Sequence, residues 1–338
     1  MGDSSVNQLP RPPYDPQLVP VIGKNPPYPQ RREDVVHGRR IRATATAPFQ
    51  ASIRNDVHLS VEDRTIPGPD GDIPLVILQS KNPSTPHGRR PGIVFVHGGG
   101  MLLGDAFLGL AFYAEVAKTL DAVVASVEYR LAPEHPAPAP QDDCFAALRW
   151  VSAHAAELGL DPARVMIAGA SAGGGIAAGV ALRARDEGGP PLCAQLLVYP
   201  MLDDRNRTAS GRQYAREDGA YDGADNDFAW SCVLGGRRRG GAESGGVSAY
   251  VAPGRATDLA GLPPAYIDVG SAEPFRDDNV RYASRLWEAG VQADLHVWSG
   301  GFHGFDLLGL PVRAEVSQAA IDTRMGWVRR VFGTREGV

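Results

Sequence analysis

Cysteine is scarce in this 338-residue chain, which contains only Cys144, Cys193 and Cys232. An odd, widely spaced set of three supplies neither a disulfide scaffold nor a C-x-x-C metal motif, and it suits a reducing compartment such as the cytoplasm. Positive charge is not in excess either: 34 basic against 39 acidic side chains leave a net charge of −5, which removes any electrostatic case for a nucleic-acid partner. No uninterrupted apolar run approaches the roughly 18 residues of a membrane-spanning helix. Residues 1–16 (MGDSSVNQLPRPPYDP) lack the apolar segment of a secretory leader. Lysine occurs only at 24, 81 and 118, and none has a serine three residues before it, so nucleophile chemistry of the Ser-x-x-Lys kind is excluded. Against these absences, 43% hydrophobic and 22% charged residues are ordinary for a folded protein and argue against wholesale disorder. The length allows one or two domains.

The first fifty residues differ from the rest. Eight prolines fall between Pro10 and Pro29, where they favour turns and extended chain. Asp15-Pro16 reads as a short helix start. The cluster Arg31, Arg32, Arg39, Arg40 and Arg42 reads as a solvated face. From residue 57 the pattern becomes regular. Val57–Ile66 and Ile73–Leu78 flank PGPDGD, a hairpin signal. Short apolar runs then recur at Ile93–Val96, Val123–Val127, Val165–Ala168, Gln195–Tyr199 and Ala265–Val269, with a last strand near Leu295–Trp298. Helical patterns lie between them at Leu110–Leu120, Cys144–Leu158, Ile176–Arg185 and Val280–Ala289. Alternation of this kind predicts an α/β fold: a mostly parallel sheet, antiparallel at its start, with helices on both faces. Residues 203–250 interrupt it with a polar, glycine-rich stretch that carries Arg237, Arg238 and Arg239 and has Phe228, Trp230 and Leu234 at helical spacing. One or two short inserted helices are expected there, able to form a layer over one end of the sheet together with residues 1–50.

Gly169-Ala170-Ser171-Ala172-Gly173 lies between a predicted strand and a predicted helix. In that setting G-x-S-x-G is a nucleophile elbow, in which small neighbours let chain segments pass close to a serine held in a strained turn. The turn also leaves the Ala172 N–H at a helix N-terminus, where it favours negative charge. A dinucleotide-binding reading of Gly169, Gly173 and Gly175 is rejected. The motif falls mid-chain, the acids Asp186 and Glu187 precede the next strand instead of ending it, and no Tyr-x-x-x-Lys follows. His97-Gly98-Gly99-Gly100 ends an early strand, and glycines there let the backbone approach a substrate oxygen. Gly99 and Gly100 are the expected oxyanion donors, joined by Ala172, with His97 orienting the loop. Of eight histidines, His303 stands after Ser171 in a glycine-flanked loop (Phe302-His303-Gly304-Phe305) beyond the last strand, as a general base requires. His296 lies within a strand pattern and His154 on a helix. The acid is expected between serine and histidine, after a strand. Glu273 and Asp277 both qualify; Glu273 is favoured because it sits nearer the strand end, whereas Asp277 and Asp278 also suit a helix start.

Taken together, HGGG at 97–100, GASAGG at 169–174, GFHGF at 301–305 and Tyr129-Arg130-Leu131-Ala132-Pro133-Glu134-His135-Pro136 resemble the hormone-sensitive-lipase-like (bacterial family IV) esterases of the α/β-hydrolase superfamily, over about residues 57–310. The resemblance implies an α/β-hydrolase core (51–202 and 251–338) under a helical cap built from residues 1–50 and 203–250. It implies a serine carboxylesterase acting on short-to-medium acyl esters through an acyl-enzyme, with a small-molecule ester as partner, no metal or organic cofactor, and a homodimer. Alignment sets Glu273 on the catalytic acid, although the family usually carries Asp-Pro-Leu-x-Asp where this chain has Glu273-Pro274-Phe275-Arg276-Asp277. The YRLAPEHP stretch reads as structural, without a catalytic role for His135. Met101, Leu102, Leu103, Phe228 and Trp230 are either lining of an apolar pocket or ordinary core. Amidase or acyltransferase chemistry uses the same machinery, and a non-catalytic ligand-binding relative is the rival from another class; such a receptor is expected to lack the loop histidine, which is present here.

Overall fold

In the sheet, Leu59–Gly68 (β1) and Gly71–Ser80 (β2) form the leading hairpin, in antiparallel register from Leu59 opposite Ser80 to Gly68 opposite Gly71. β2 also pairs antiparallel with Val123–Val127 (β4). Every other pairing is parallel: Arg90–Val96 (β3), β4, Leu160–Ala170 (β5), Ala194–Val198 (β6), Ala265–Gly270 (β7) and Ala293–Trp298 (β8) complete an eight-stranded sheet in the order β1-β2-β4-β3-β5-β6-β7-β8. The computed structural model describes residues 9–24, 26–216, 221–236 and 246–333. β3, β4 and β6 are buried along their whole length, which is why they read as continuous apolar runs and not as alternating ones.

Parallel neighbours need crossovers, and helices supply them. Leu110–Leu120 (α2) follows β3, Ala172–Asp186 (α5) follows β5, and Arg276–Glu288 (α8) follows β7. Between β4 and β5 the expected single helix is two, Ala139–Ala153 (α3) and Ala155–Leu158 (α4). They part at His154, which stacks on Trp150 with ring centroids 4.3 Å apart. In the 203–250 stretch the described residues hold Ala209–Gln213 (α6) and Gly223–Val233 (α7), the second started by a capping box between Asp222 and Asp225. The triple arginine at 237–239 lies outside the described residues.

Two helices have little sequence signature. Val35–Arg54 (α1) occupies part of the stretch expected to be broken by proline, with Pro48 inside it. Only Val35 and Ile53 of its twenty residues are buried, so no apolar stripe marks it. The C-terminal helix Glu315–Gly333 (α10) buries Ser317, Ala320, Arg324, Trp327, Val328 and Phe332. That spacing is helical, but serine and arginine interrupt the apolar pattern that would reveal it. The Asp15-Pro16 start is a turn leading into a single 3-10 turn at Val19–Val21.

The arginine cluster is not the uniform solvated face expected from sequence. Arg39 forks onto Glu134 and donates to the Leu102 and Ala132 carbonyls, while Arg42 is desolvated enough to push its pKa down. The reason is tertiary: α1 lies against the chain that follows β3. No helix among the described residues is long and apolar enough to cross a membrane.

Candidate active site

Four chain segments leave the C-terminal ends of parallel strands on one side of the sheet, the usual ligand-binding end of such folds. β3 runs into His97–Gly100, β5 into Ser171, β7 into Glu273, and β8 into His303.

The serine turn is held by backbone contact. Ser171 has φ +55° and ψ −120°, a conformation that ordinary residues avoid. It persists because the Ser171 N–H donates to Val198 O (2.8 Å), while Ser171 O accepts from Gly175 and Met201 at 3.1 and 2.9 Å. The neighbouring glycines are steric requirements. A Cβ on Gly173 would lie 2.1 Å from Val96 O, and one on Gly169 would lie 2.2 Å from Gly173 O. The glycines thus press α5 and β5 against each other and against β3.

Ser171 Oγ lies 2.8 Å from His303 Nε2, and His303 Nδ1 lies 2.5 Å from Glu273 Oε2. Glu273 Oε1 accepts from the Gly270 N–H at 3.0 Å, which fixes the carboxylate's angle to the ring. Burial pushes the Glu273 pKa up, and the adjacent His303 opposes that rise. The imidazole is boxed by aromatic rings, with centroids at 4.7 Å (Tyr199), 5.0 Å (Phe275) and 5.1 Å (Tyr221). Asp277, the other acid considered, faces away from this group: its Oδ2 accepts the Ser210 N–H at 2.8 Å and its Oδ1 the Arg276 Nε–H at 2.8 Å.

His97 is fully buried, and its Nδ1 lies 2.8 Å from Gly98 O. Burial pushes its pKa down to about 4, so it stays neutral and its Nδ1–H donates to that carbonyl. Stacking on Tyr129, whose hydroxyl donates to His97 O at 2.9 Å, holds the ring. In a trans peptide the N–H points opposite the carbonyl, so anchoring Gly98 O orients the Gly99 N–H. Gly99 and Gly100 have φ of +108° and +68°, and a Cβ on Gly98 would lie 3.3 Å from Ser171 Cβ. The loop is thus packed against the serine turn. Ala172 begins α5, so its N–H belongs to the unpaired first turn of that helix.

The family model for the alpha/beta hydrolase fold matches residues 93–307. Esterase LipI of Mycobacterium tuberculosis is 37% identical over 316 residues, which cover 87% of this chain and 88% of the relative. The carboxylesterase NlhH of the same species is 39% identical over 90% of this chain and 92% of its own. Among solved structures, a bacterial heroin esterase superposes with a TM-score of 0.85 at 37% identity, covering 94% of this chain and 98% of that one. Esterase LipW from Mycobacterium marinum superposes with a TM-score of 0.84 at 34% identity, covering 95% and 98%. The chain belongs to the hormone-sensitive-lipase-like esterases of the α/β-hydrolase superfamily. It is a carboxylic ester hydrolase.

The esterase also brings together residues that carry no motif. Tyr28, from the proline-rich start, donates its hydroxyl to Gly99 O at 3.3 Å and packs edge-on against Tyr221 at 5.1 Å. Gln30 donates to Asp225, whose pKa burial and nearby Asp222 push up to about 7. Tyr214 donates to Pro12 O at 2.6 Å. These contacts join the first thirty residues to the 203–250 stretch beside the Gly98–Gly100 loop, and isolated tyrosines give no periodic signal by which sequence could find them. Met101, Leu102, Leu103 and Trp230 of the esterase are buried in the main apolar core, and Phe228 packs partly buried against it. Among the described residues no cluster of three or more potential ligands is arranged to hold a metal ion.

Proposed function

We propose that Ser171, His303 and Glu273 form the catalytic triad of this ester hydrolase, and that the N–H groups of Gly99, Gly100 and Ala172 receive the oxyanion. The observation that carries the reading is the continuous contact from Ser171 Oγ through both ring nitrogens of His303 to Glu273. A carboxylate on Nδ1 keeps the proton there, leaving Nε2 free to accept the serine proton. Ser171 Oγ attacks the ester carbonyl while His303 takes its proton. The negative charge formed on the carbonyl oxygen is met by three amide dipoles, and losing one such donor typically costs about 10²–10³ in turnover. The tetrahedral species collapses as the imidazolium protonates the departing alcohol, leaving acyl-Ser171. Water, deprotonated by the same imidazole, releases the acid and restores the serine.

The proposed substrates are esters of short-to-medium acyl chains. Supporting this is the narrow approach: Ser171 is only 7% exposed, Tyr221 and Phe275 crowd the imidazole, and a Cβ on Gly100 would meet the Tyr28 hydroxyl at 2.0 Å. Residues 1–50 and 203–250 act in this proposal as the cap that builds that approach, over a core of 51–202 and 251–338. A homodimer is the proposed assembly, supported by β8 standing at the sheet edge among the described residues and by exposed Val297 on it and Trp287 on α8. The test of the triad is covalent. Wild-type enzyme treated with a serine-directed alkyl phosphonate is expected to gain one adduct at Ser171, and Ser171→Ala is expected to gain none while keeping its fold. Full-stoichiometry labelling of the alanine variant overturns the assignment.

A further inference from the structure

Linked to His303 through the Tyr199 ring lies a second charged group that the chemistry above does not use. Arg324 of α10 is 4% exposed. Its Nη2 donates to Asp268 Oδ2 at 2.9 Å and its Nη1 to Asp306 Oδ2 at 3.0 Å. The other oxygen of Asp306 accepts the Tyr199 hydroxyl at 2.9 Å, and the Tyr199 N–H donates to Asp268 O at 2.6 Å. Asp268 also accepts the Tyr266 hydroxyl at 3.2 Å.

The two carboxylates are placed by sequence in an informative way. Asp268 lies on β7, five residues before Glu273, and Asp306 lies in the short helix Phe305–Leu308 (α9), three residues after His303. One guanidinium therefore ties the segment that delivers the acid to the segment that delivers the base. Tyr199 adds a third tie, because its ring edge meets His303 at 4.7 Å and it follows Val198, whose carbonyl holds the Ser171 N–H. The histidine turn needs such anchors. It is flanked by Gly300, Gly301 and Gly304, with φ of +69° at Gly300 and +81° at Gly304. On its upstream side it is held by the Ala272 N–H donating to Gly301 O. On its downstream side α10 holds it twice, through Asp306 and through the Ser317 hydroxyl donating to Phe305 O. Stability alone does not account for this cluster. Two buried carboxylates share one buried cation, Asp268 Oδ1 and Arg324 Nε have no partner among the described residues, and apolar packing often replaces such groups without loss. A rigid planar fork between two chain segments supplies fixed geometry instead.

We propose that Arg324 is a positioning residue for the catalytic pair: acting through Asp306, Asp268 and Tyr199, it holds His303 and Glu273 in register with Ser171. The proposal rests on the triad reading above, and the experiment separates the two. Arg324→Lys keeps a buried cation but cannot fork across both carboxylates, and Tyr199→Phe removes one hydroxyl while keeping the ring beside His303. Hydrolysis of p-nitrophenyl acetate, phosphonylation rate at Ser171 and melting temperature are measured for wild type and both variants. Arg324→Lys is expected to lower kcat about tenfold or more and Tyr199→Phe about threefold, with KM within about twofold and phosphonylation slowed in parallel. A folded Arg324→Lys enzyme with kcat within about 1.5-fold of wild type, or with only KM changed, overturns the proposal. If the lysine variant does not fold, the same limits applied to Tyr199→Phe decide it. Wild-type enzyme that carries no label at Ser171 sinks the triad reading itself, whatever the variants do.

Discussion

Replacing Glu273 by glutamine changes a single atom and leaves the packing almost untouched. The amide oxygen still accepts the Gly270 N–H that now reaches Oε1 at 3.0 Å. The amide nitrogen then faces His303 Nδ1, in place of the carboxylate oxygen at 2.5 Å. Two donors cannot meet, so the ring proton moves to Nε2 and points at the Ser171 hydroxyl it is meant to deprotonate. The expected cost is about 10⁴ in kcat, the order found when a triad acid becomes its amide, or about 5.4 kcal/mol of transition-state stabilisation. Stability is expected to move the other way. Burial raises the Glu273 pKa, so its ionised form is disfavoured in the fold once the pH exceeds the ordinary glutamate range, and the neutral amide escapes that penalty. At pH 7–8 the variant should melt no lower than wild type, and wild type should gain on it as the pH falls toward 4. Asp277→Asn, which weakens the contacts to Ser210 and Arg276 and touches neither His303 nor Ser171, should keep kcat within about threefold. The assay is p-nitrophenyl butyrate hydrolysis with thermal melts across pH 4–8. A Glu273→Gln enzyme within tenfold of wild type, or less active Asp277→Asn than Glu273→Gln, refutes the reasoning.

Gly173→Ala places a methyl 2.1 Å from Val96 O and 2.4 Å from His97 O, both backbone atoms that cannot swing aside. It should cost about 3 kcal/mol in denaturant unfolding and reduce turnover through the displaced oxyanion loop. Asp121→Asn tests a polar anchor at the end of α2. Burial raises the Asp121 pKa, but four hydrogen bonds from Ser84 and Thr85 outweigh it and hold the group below the usual aspartate range. The carboxylate therefore stabilises the fold above the ordinary aspartate pKa and loses that contribution as the pH drops through its lowered one. The variant should be about 1–2 kcal/mol less stable at pH 7, with the gap closing in acid. Across p-nitrophenyl esters of rising acyl length, kcat/KM should fall beyond medium chains; a preference for emulsified long chains would contradict the crowded approach to Ser171.

The elements that build the chemistry are the legible ones. Strands such as Val123–Val127 and the hairpin at PGPDGD announce themselves, because a buried strand is a short apolar run and a tight turn needs glycine and proline. HGGG, the serine turn and the loop histidine are local sequences with local causes, so their spacing survives in the chain. Nearness to the strand end favours Glu273 over Asp277, while the contact itself depends on the reach of one side chain across folded space. The least legible parts depend on distant partners. α1 buries two side chains, the stripe of α10 is broken by Arg324, and Arg39 gains its role only when α1 lies on the chain after β3. Tyr199 and Tyr221 meet the imidazole from two separate regions, and Tyr28 packs on Tyr221 from a third, a convergence that no window of sequence contains.

In the proposed site, the part that would meet the oxyanion is main chain: amides of a glycine run and of a bent serine turn, beside glycines too tightly wedged to accept a methyl. The part that a substrate's tail would meet in the proposed cap is made of side chains on two segments outside the sheet. Variation can therefore reshape what enters while the reacting atoms keep their places, and a search for altered selectivity belongs at Tyr28, Tyr221 and Asp225, leaving the glycines alone.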